Sequence, residues 1–334
     1  MESPTAPTAP RRRRARPSRS RRLLLCTALA VVAVAGATAG GTVWMRAGAH
    51  PGTTAVPSPA GSASGEAAVE PVAESATDHD AVLRAAMGSV DVPDGAKVSV
   101  AVLDVVSGAG AVYGDAAFDT ASIVKVDILA ALLLRAQDAG RPLTAQERTY
   151  ATAMIEHSDN ASASALWDAI GRAEGLDAAN ARFGLTATSG GEGALWGLTQ
   201  TTAADQLTLL RQVFGGSGGE GSELTAASRA YLQGLMGRIA EGQRWGVSAA
   251  ADGSAWALKN GWLPRSTTGL WDVNSIGRIT AGGRSYLVAV LSNGTAAQED
   301  GIALVEAAAR AAVTALAGVA EGQGLSSGDG GPGG

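Results

Sequence analysis

The distribution of apolar and polar positions divides the chain into unlike parts. Leu23 to Met45 is 23 residues without a charge, long enough to cross a bilayer at about 1.5 Å rise per residue. Residues 47–78, rich in Pro, Ala, Ser, Gly and Thr, read as a flexible linker. A helix is expected from near Asp80, through Ala81 to Met87. Val98, Val100 and Val102 alternate with Ser99 and Ala101, which predicts a strand. A turn at Ser107–Gly110 and a second strand at Ala111–Tyr113 follow. An apolar helix headed by Thr120-Ala121-Ser122 should run to about Leu134. Further helices are expected over Ala145–Ile170 (with Ser158 inside it), Leu207–Phe214, Ala226–Ile239 and Ile302–Leu316. Ala255–Lys259, Trp271–Ile279 and Ser285–Leu291 have the strand pattern. Strands at both ends with helices between them predict an α+β fold. It is a three-layer α/β/α arrangement: a five-stranded antiparallel sheet, flanked by N- and C-terminal helices, carrying an inserted all-α lobe.

Charge and composition narrow the function classes. Residues 1–46 hold nine arginines and one acid, so the remaining 17 basic and 30 acidic residues give the rest a net charge of −13. An acidic body of this kind argues against nucleic acid as a partner. The arginines before the apolar run should stay in the cytoplasm and send the body outward. The expected organisation is a basic cytoplasmic tail (1–22), a signal anchor or cleaved export signal (23–45), the linker (47–78), a folded body (79–318) and a disordered tail (319–334). The body is expected to work as a monomer outside the cytoplasm, tethered to the cell membrane or secreted. Cys26 is the sole cysteine and there are three histidines, too few for a conventional zinc site. No cofactor and no metal are expected.

Lysine is rare: Lys97, Lys125 and Lys259 are three of 26 basic residues. Where arginine serves for positive charge elsewhere, a retained lysine marks a place where loss of the proton could matter. Ser122 and Lys125 are three apart at a helix start and so share a face. An amine of lowered pKa could take the serine proton. Ser158-Asp159-Asn160 follows, then Lys259-Asn260-Gly261 at a strand end. Ser-x-x-Lys, Ser-Asp-Asn and Lys-x-Gly in that order resemble the serine β-lactamases and penicillin-binding proteins. The likeness is nearest to the class A β-lactamase branch and covers roughly Asp78 to Leu316. Formal matches to a nucleophile elbow (Gly215–Gly219) and a dinucleotide fingerprint (Gly216–Gly221) lack the strand each requires. His157 is read as a helix-flank residue.

The resemblance implies the following roles. Ser122 is the acylated nucleophile, and Lys125 its base or proton relay. Ser158 passes a proton to the leaving nitrogen, with Lys259 beside it to hold its hydrogen bond and attract a substrate carboxylate. Asn160, Asn260, Gly261 and Trp262 contact substrate, and the backbone N–H groups of Ser122 and Trp262 form the oxyanion hole. Asp159 braces its loop, and Arg265 is expected as a surface arginine. The implied activity is a β-lactamase-like serine hydrolase acting on β-lactam or D-alanyl-peptide-type amide bonds. The alternative is a membrane-tethered penicillin sensor or a D-alanyl carboxypeptidase with slow deacylation. The third motif has asparagine where the family usually has threonine or serine. The loop expected to carry the deacylating glutamate reads Gly190-Gly191-Glu192-Gly193, making Glu192 the only candidate for that base.

Overall fold

A computed structural model describes residues 77–215, 221–253 and 255–326. The expected basic tail, apolar run, nearly all of the linker, the glycine loop at 216–220 and the last eight residues lie outside the described residues.

Seven strands and eight α-helices are described. In chain order they are α1 His79–Met87, β1 Lys97–Asp104, β2 Gly110–Tyr113, β3 Phe118–Asp119, α2 Val124–Asp138, α3 Ala145–Glu156, α4 Asn160–Ile170 and α5 Arg172–Phe183. Then come β4 Gln200–Thr201, α6 Ala203–Phe214, α7 Ala226–Met236, β5 Trp256–Pro264, β6 Trp271–Ala281, β7 Arg284–Thr295 and α8 Gln298–Ser326. Five strands form an antiparallel sheet in the order β2-β1-β7-β6-β5, and β3 pairs with β4 in a separate two-stranded ribbon. The fold class expected from sequence is the fold observed.

Strand periodicity sorts the core into two layers. Val98, Val100, Val102, Leu258, Val288 and Val290 face α1 and α8. Ala101, Leu103, Ala257, Leu287, Ala289 and Leu291 face the α lobe, where α2 is the central element. From Val124 to Leu134 every residue of α2 is buried, so this helix is apolar all round because it is surrounded. It also buries Asp127, whose carboxyl desolvation pushes up to about 7. The 22-residue stretch Gln298–Val319 of α8 is long and apolar enough to cross a membrane. Its Leu304, Val305, Ala308, Ala309, Ala312 and Val313 are nonetheless buried against the sheet.

Three expectations change. The predicted helix 145–170 breaks at His157–Asp159, because Asp159 caps α4 by accepting from Ser162 N at 2.7 Å. The missed α5 starts where Gly171 ends α4 in the left-handed region at φ 96°. The C-terminal helix extends beyond Leu316 to Ser326.

The same periodicity fixes β5. Lys259 and Gly261 share the α-lobe face with Ala257, while Asn260 points with Leu258 to the opposite layer. There Asn260 Nδ2 donates to the carbonyls of Gln243 (2.8 Å) and Trp245 (3.0 Å), and its Oδ1 accepts from Ser275 Oγ at 2.6 Å. Ser275 Oγ in turn accepts from Val247 N at 2.9 Å. Asn260 thus clamps the segment after α7 to the sheet. Asn260→Ala would leave these buried partners unpaired, at a cost of about 2–4 kcal/mol. A fall in Tm of roughly 5–10 °C is therefore expected by thermal denaturation. An unchanged Tm would contradict the clamp.

Candidate active site

The turn bearing Ser122 is made by strain and held by the sheet. Ala121–Ile123 form a single 3-10 turn between β3 and α2. Ala121 has φ 47°, a left-handed conformation that costs a non-glycine residue of order 1 kcal/mol. Asn274 Nδ2 on β6 donates to the carbonyls of Asp119 (2.9 Å) and Thr120 (3.0 Å). Thr120 N also donates to Thr199 O at 2.9 Å. Asp119 accepts from Gln200 and is ion-paired with Arg265, which lies 3.8 Å from Asp272 as well. β5 approaches so closely that a Cβ on Gly261 would sit 2.7 Å from Ser122 N and 2.8 Å from Thr120 O. Only glycine permits that contact.

Lys125 lies in the first turn of α2 and is fully buried. Its Nζ is 2.7 Å from Ser158 O, 2.8 Å from Asn160 Oδ1 and 3.0 Å from Ser158 Oγ. The two carbonyl oxygens can only accept. Two N–H bonds are therefore committed, and the third direction of the nitrogen faces the Ser158 hydroxyl. Burial lowers the Lys125 pKa to about 7, against an opposing pull from the Asp159 charge. The Trp196 ring lies over Nζ at 4.9 Å, and its Nε1 donates to Ser164 Oγ at 3.1 Å.

Ser158 occupies the break between α3 and α4 with φ 57°, a second strained non-glycine residue. The strain turns its hydroxyl inward. Lys259, also fully buried, reaches it from β5, with Nζ 3.1 Å from Ser158 Oγ and 2.8 Å from Asn260 O. Burial pushes the Lys259 pKa well down, and the nearby Lys125 charge adds to this. Two amines, both disfavoured as cations, thus flank one serine oxygen.

Above them opens a cleft of about 590 Å³ lined by Ser122, Asn160, Trp196, Trp262 and Arg265, among others. Ser122, Lys125, Ser158, Asn160, Lys259, Gly261 and Trp262 are therefore brought together. Two expected site residues are not. Asn260 does not line the cleft, because its amide is turned to the opposite sheet face and saturated there. Glu192 is exposed, its carbonyl closes a turn with Leu195 N at 3.0 Å, and it does not line the cleft either. Arg265 is a correction of a different kind. It opens a turn, its carbonyl accepting from Gly269 N at 2.7 Å, but its side chain is the partly buried counter-ion of Asp119, and burial pushes the neighbouring Asp272 carboxyl up to about 6. Trp196, Asn274 and the Asp119–Arg265 pair carried no sequence signal, since each acts across a contact between distant segments.

A sequence model of the beta-lactamase enzyme family matches residues 141–316, a stretch that includes Ser158 and Lys259 and begins after Lys125. The LppW proteins of Mycobacterium tuberculosis and Mycobacterium bovis are 28% identical over 172 residues, 51% of this chain. The match covers 55% of those relatives, so the chain spans about half the length of the curated proteins it resembles. Among solved structures, a point mutant of PBP-A in an acyl-enzyme complex with penicillin G superposes with a TM-score of 0.60 at 22% identity. The superposition covers 71% of this chain and 97% of that one. A β-lactamase from Xanthomonas campestris pv. campestris gives 0.56 at 21% identity, with 71% and 97% covered. The TLA-1 extended-spectrum β-lactamase gives 0.60 at 15% identity, with 71% and 98% covered. At these identities the structural likeness establishes the fold, and the family match covers more than half of the sequence. The chain belongs to the beta-lactamase enzyme family.

Proposed function

We propose that the chain is an extracytoplasmic, penicillin-recognising serine hydrolase that opens β-lactam or D-alanyl-type amide bonds through a Ser122 acyl-enzyme and releases the acyl group slowly. The observation that carries this reading is the Ser158 hydroxyl held between Lys125 Nζ and Lys259 Nζ, at 3.0 and 3.1 Å, beside the cleft that Ser122 lines. The N-terminal arginines and apolar run support the placement outside the cytoplasm, as does the name of the LppW relatives, which calls them lipoproteins.

In this mechanism neutral Lys125 takes the Ser122 proton through the Ser158 hydroxyl that its free direction faces. Ser122 Oγ then bonds to the substrate carbonyl carbon, and the oxyanion is met by the N–H groups of Ser122 and Trp262. The C–N bond breaks as Ser158 gives its proton to the leaving nitrogen, and Lys125 returns a proton to Ser158. Lys259 keeps the Ser158 oxygen oriented throughout. Asn160, at the cleft wall, accepts from Lys125 and contacts the acyl amide.

Slow release has its own support. Among the described residues, those lining the cleft include no carboxylate, and Glu192 stands exposed away from it. The side of Lys125 next to the loop is covered by the Trp196 indole. An ester formed on Ser122 would thus face an apolar ring and no carboxylate to activate water. This favours, as the second reading, a tethered module that is acylated and signals by occupancy.

Time-resolved intact-mass spectrometry with benzylpenicillin tests both readings. A penicillin-sized mass increase that persists is expected, and Ser122→Ala should abolish it. Undiminished labelling of the alanine protein would refute the assignment. Glu192→Gln should change steady turnover by less than about threefold, where loss of a general base costs about a hundredfold or more. Brisk turnover that collapses in the glutamine protein would instead make Glu192 the hydrolytic base.

The acylation rate should follow the Lys125 amine. Its pKa is lowered to about 7, so the reactive neutral form is lost as pH falls. Acylation should drop about tenfold per pH unit below 7 and level off above it. Lys125→Arg keeps the charge but cannot accept a proton. It should acylate at least about a hundredfold more slowly, without that inflection. A wild-type rate in the arginine protein would limit Lys125 to an electrostatic role.

A further inference from the structure

We infer that the cleft beside Ser122 selects acyl donors whose acyl side chain is uncharged and apolar, an aryl group above all, and that Leu195 and Trp196 read it. The inference rests on the acyl-transfer reading above and names the substrate class that this site takes.

Arg265 is the only charged side chain lining the cleft among the described residues, and it is already engaged by Asp119, with Asp272 3.8 Å away. Lys125 and Lys259 are fully buried beneath the cleft and engaged with Ser158. A charged group on the acyl side chain would leave water for a wall with no free counter-ion, a cost that an apolar group does not meet.

The walls carry apolar surface between the polar Asn160, Ser164, Ser266 and Thr267, and the loop that supplies much of it is fixed. Leu195, Trp196 and Leu198 line one side from a single loop, and Leu263 and Pro264 belong to β5 opposite. Leu195 keeps 56% of its surface in water at the lip. Its backbone is locked there: Leu195 N donates to Glu192 O at 3.0 Å and Leu198 N to Leu195 O at 2.9 Å. The loop folds so tightly that a Cβ on Gly191 would come within 2.0 Å of Leu195 O. The Trp196 ring is tied to α4 through Ser164 and lies 4.9 Å from Lys125. A rigid indole with a preset aliphatic lip loses little conformational freedom when it covers a flat apolar group. The volume of about 590 Å³ admits a ring-bearing acyl group together with its leaving group.

The test compares three β-lactams that share one bicyclic nucleus. Benzylpenicillin carries a phenylacetyl side chain, carbenicillin adds a carboxylate to that side chain, and 6-aminopenicillanic acid has no acyl side chain. Acylation rate constants of the full chain are read by intact mass. Binding to Ser122→Ala, which cannot be acylated, is read by tryptophan fluorescence. Benzylpenicillin should exceed each of the others by at least about tenfold in both readouts. Leu195→Lys, a substitution at the exposed lip, should cut the benzylpenicillin-to-carbenicillin ratio by at least about fivefold. Equal values for all three compounds would overturn the inference and leave the Ser122 chemistry standing. No acylation by any compound, with the benzylpenicillin preference kept in fluorescence, would refute the catalytic reading and uphold the inference about the cleft.

Discussion

Two buried amines held against one serine oxygen set the terms for this structure. An ammonium group taken from water with no carboxylate beside it is costly, and the cost is relieved when the amine gives up its proton. Lys125 and Lys259 are both fully buried, and each is pushed toward the neutral form. Much of the site geometry serves to hold them there. α2 is enclosed by the α lobe and presents Lys125. β5 presents Lys259 on the lobe-facing side of the sheet. The break between α3 and α4, strained at Ser158, places a hydroxyl between the two. Gly261 lets β5 close on the Ser122 turn without a side chain in the way.

The parts of this that are local were legible in the sequence. The alternating strands, the apolar α2 and the three short motifs gave the sheet, the lobe and the pairing of Ser158 with both lysines. Asn260 faces away from the cleft that its motif suggests, as a local rule requires. With Lys259 and Gly261 facing the cleft, strand periodicity puts the residue between them on the other face. The break at Ser158 was also written locally, since Ser-Asp-Asn are capping and turn residues. The helical pattern on both sides outweighed it. α5 was missed because its alanines, glycine and polar residues give a weak apolar stripe, in which Leu176, Ala179 and Phe183 are the buried apolar positions. The contacts of Asn274 with the Ser122 turn, of Arg265 with Asp119 and of Trp196 with Lys125 join residues 71 to 155 positions apart. No spacing rule reaches that far.

The loop from Gly190 to Thr199 has Glu192, set between glycines, as its one carboxylate. It delivers Trp196 and Leu195 to the cleft and leaves Glu192 in solvent. An indole over Lys125 and a cleft lining without a carboxylate, under the proposed reading, bear on both turnover and selectivity. They support a long-lived acyl-enzyme, and the indole gives the cleft an apolar wall. The charged cluster beside the cleft has a separate task. Arg265, at the cleft wall, holds Asp119 and so pins the entry to the Ser122 turn, with Asp272 3.8 Å away.

The central claim is that Lys125 titrates near pH 7, so that much of it is a neutral amine at physiological pH, and the rarity of lysine makes this directly measurable. With three lysines in the whole chain, selective labelling of the lysine ε-carbons gives three signals to follow by NMR against pH. One signal, absent from the Lys125→Arg protein, should titrate near pH 7. If that signal instead keeps its protonated position up to about pH 9, close to the range of an ordinary lysine, Lys125 is a fixed cation and the account of acylation fails.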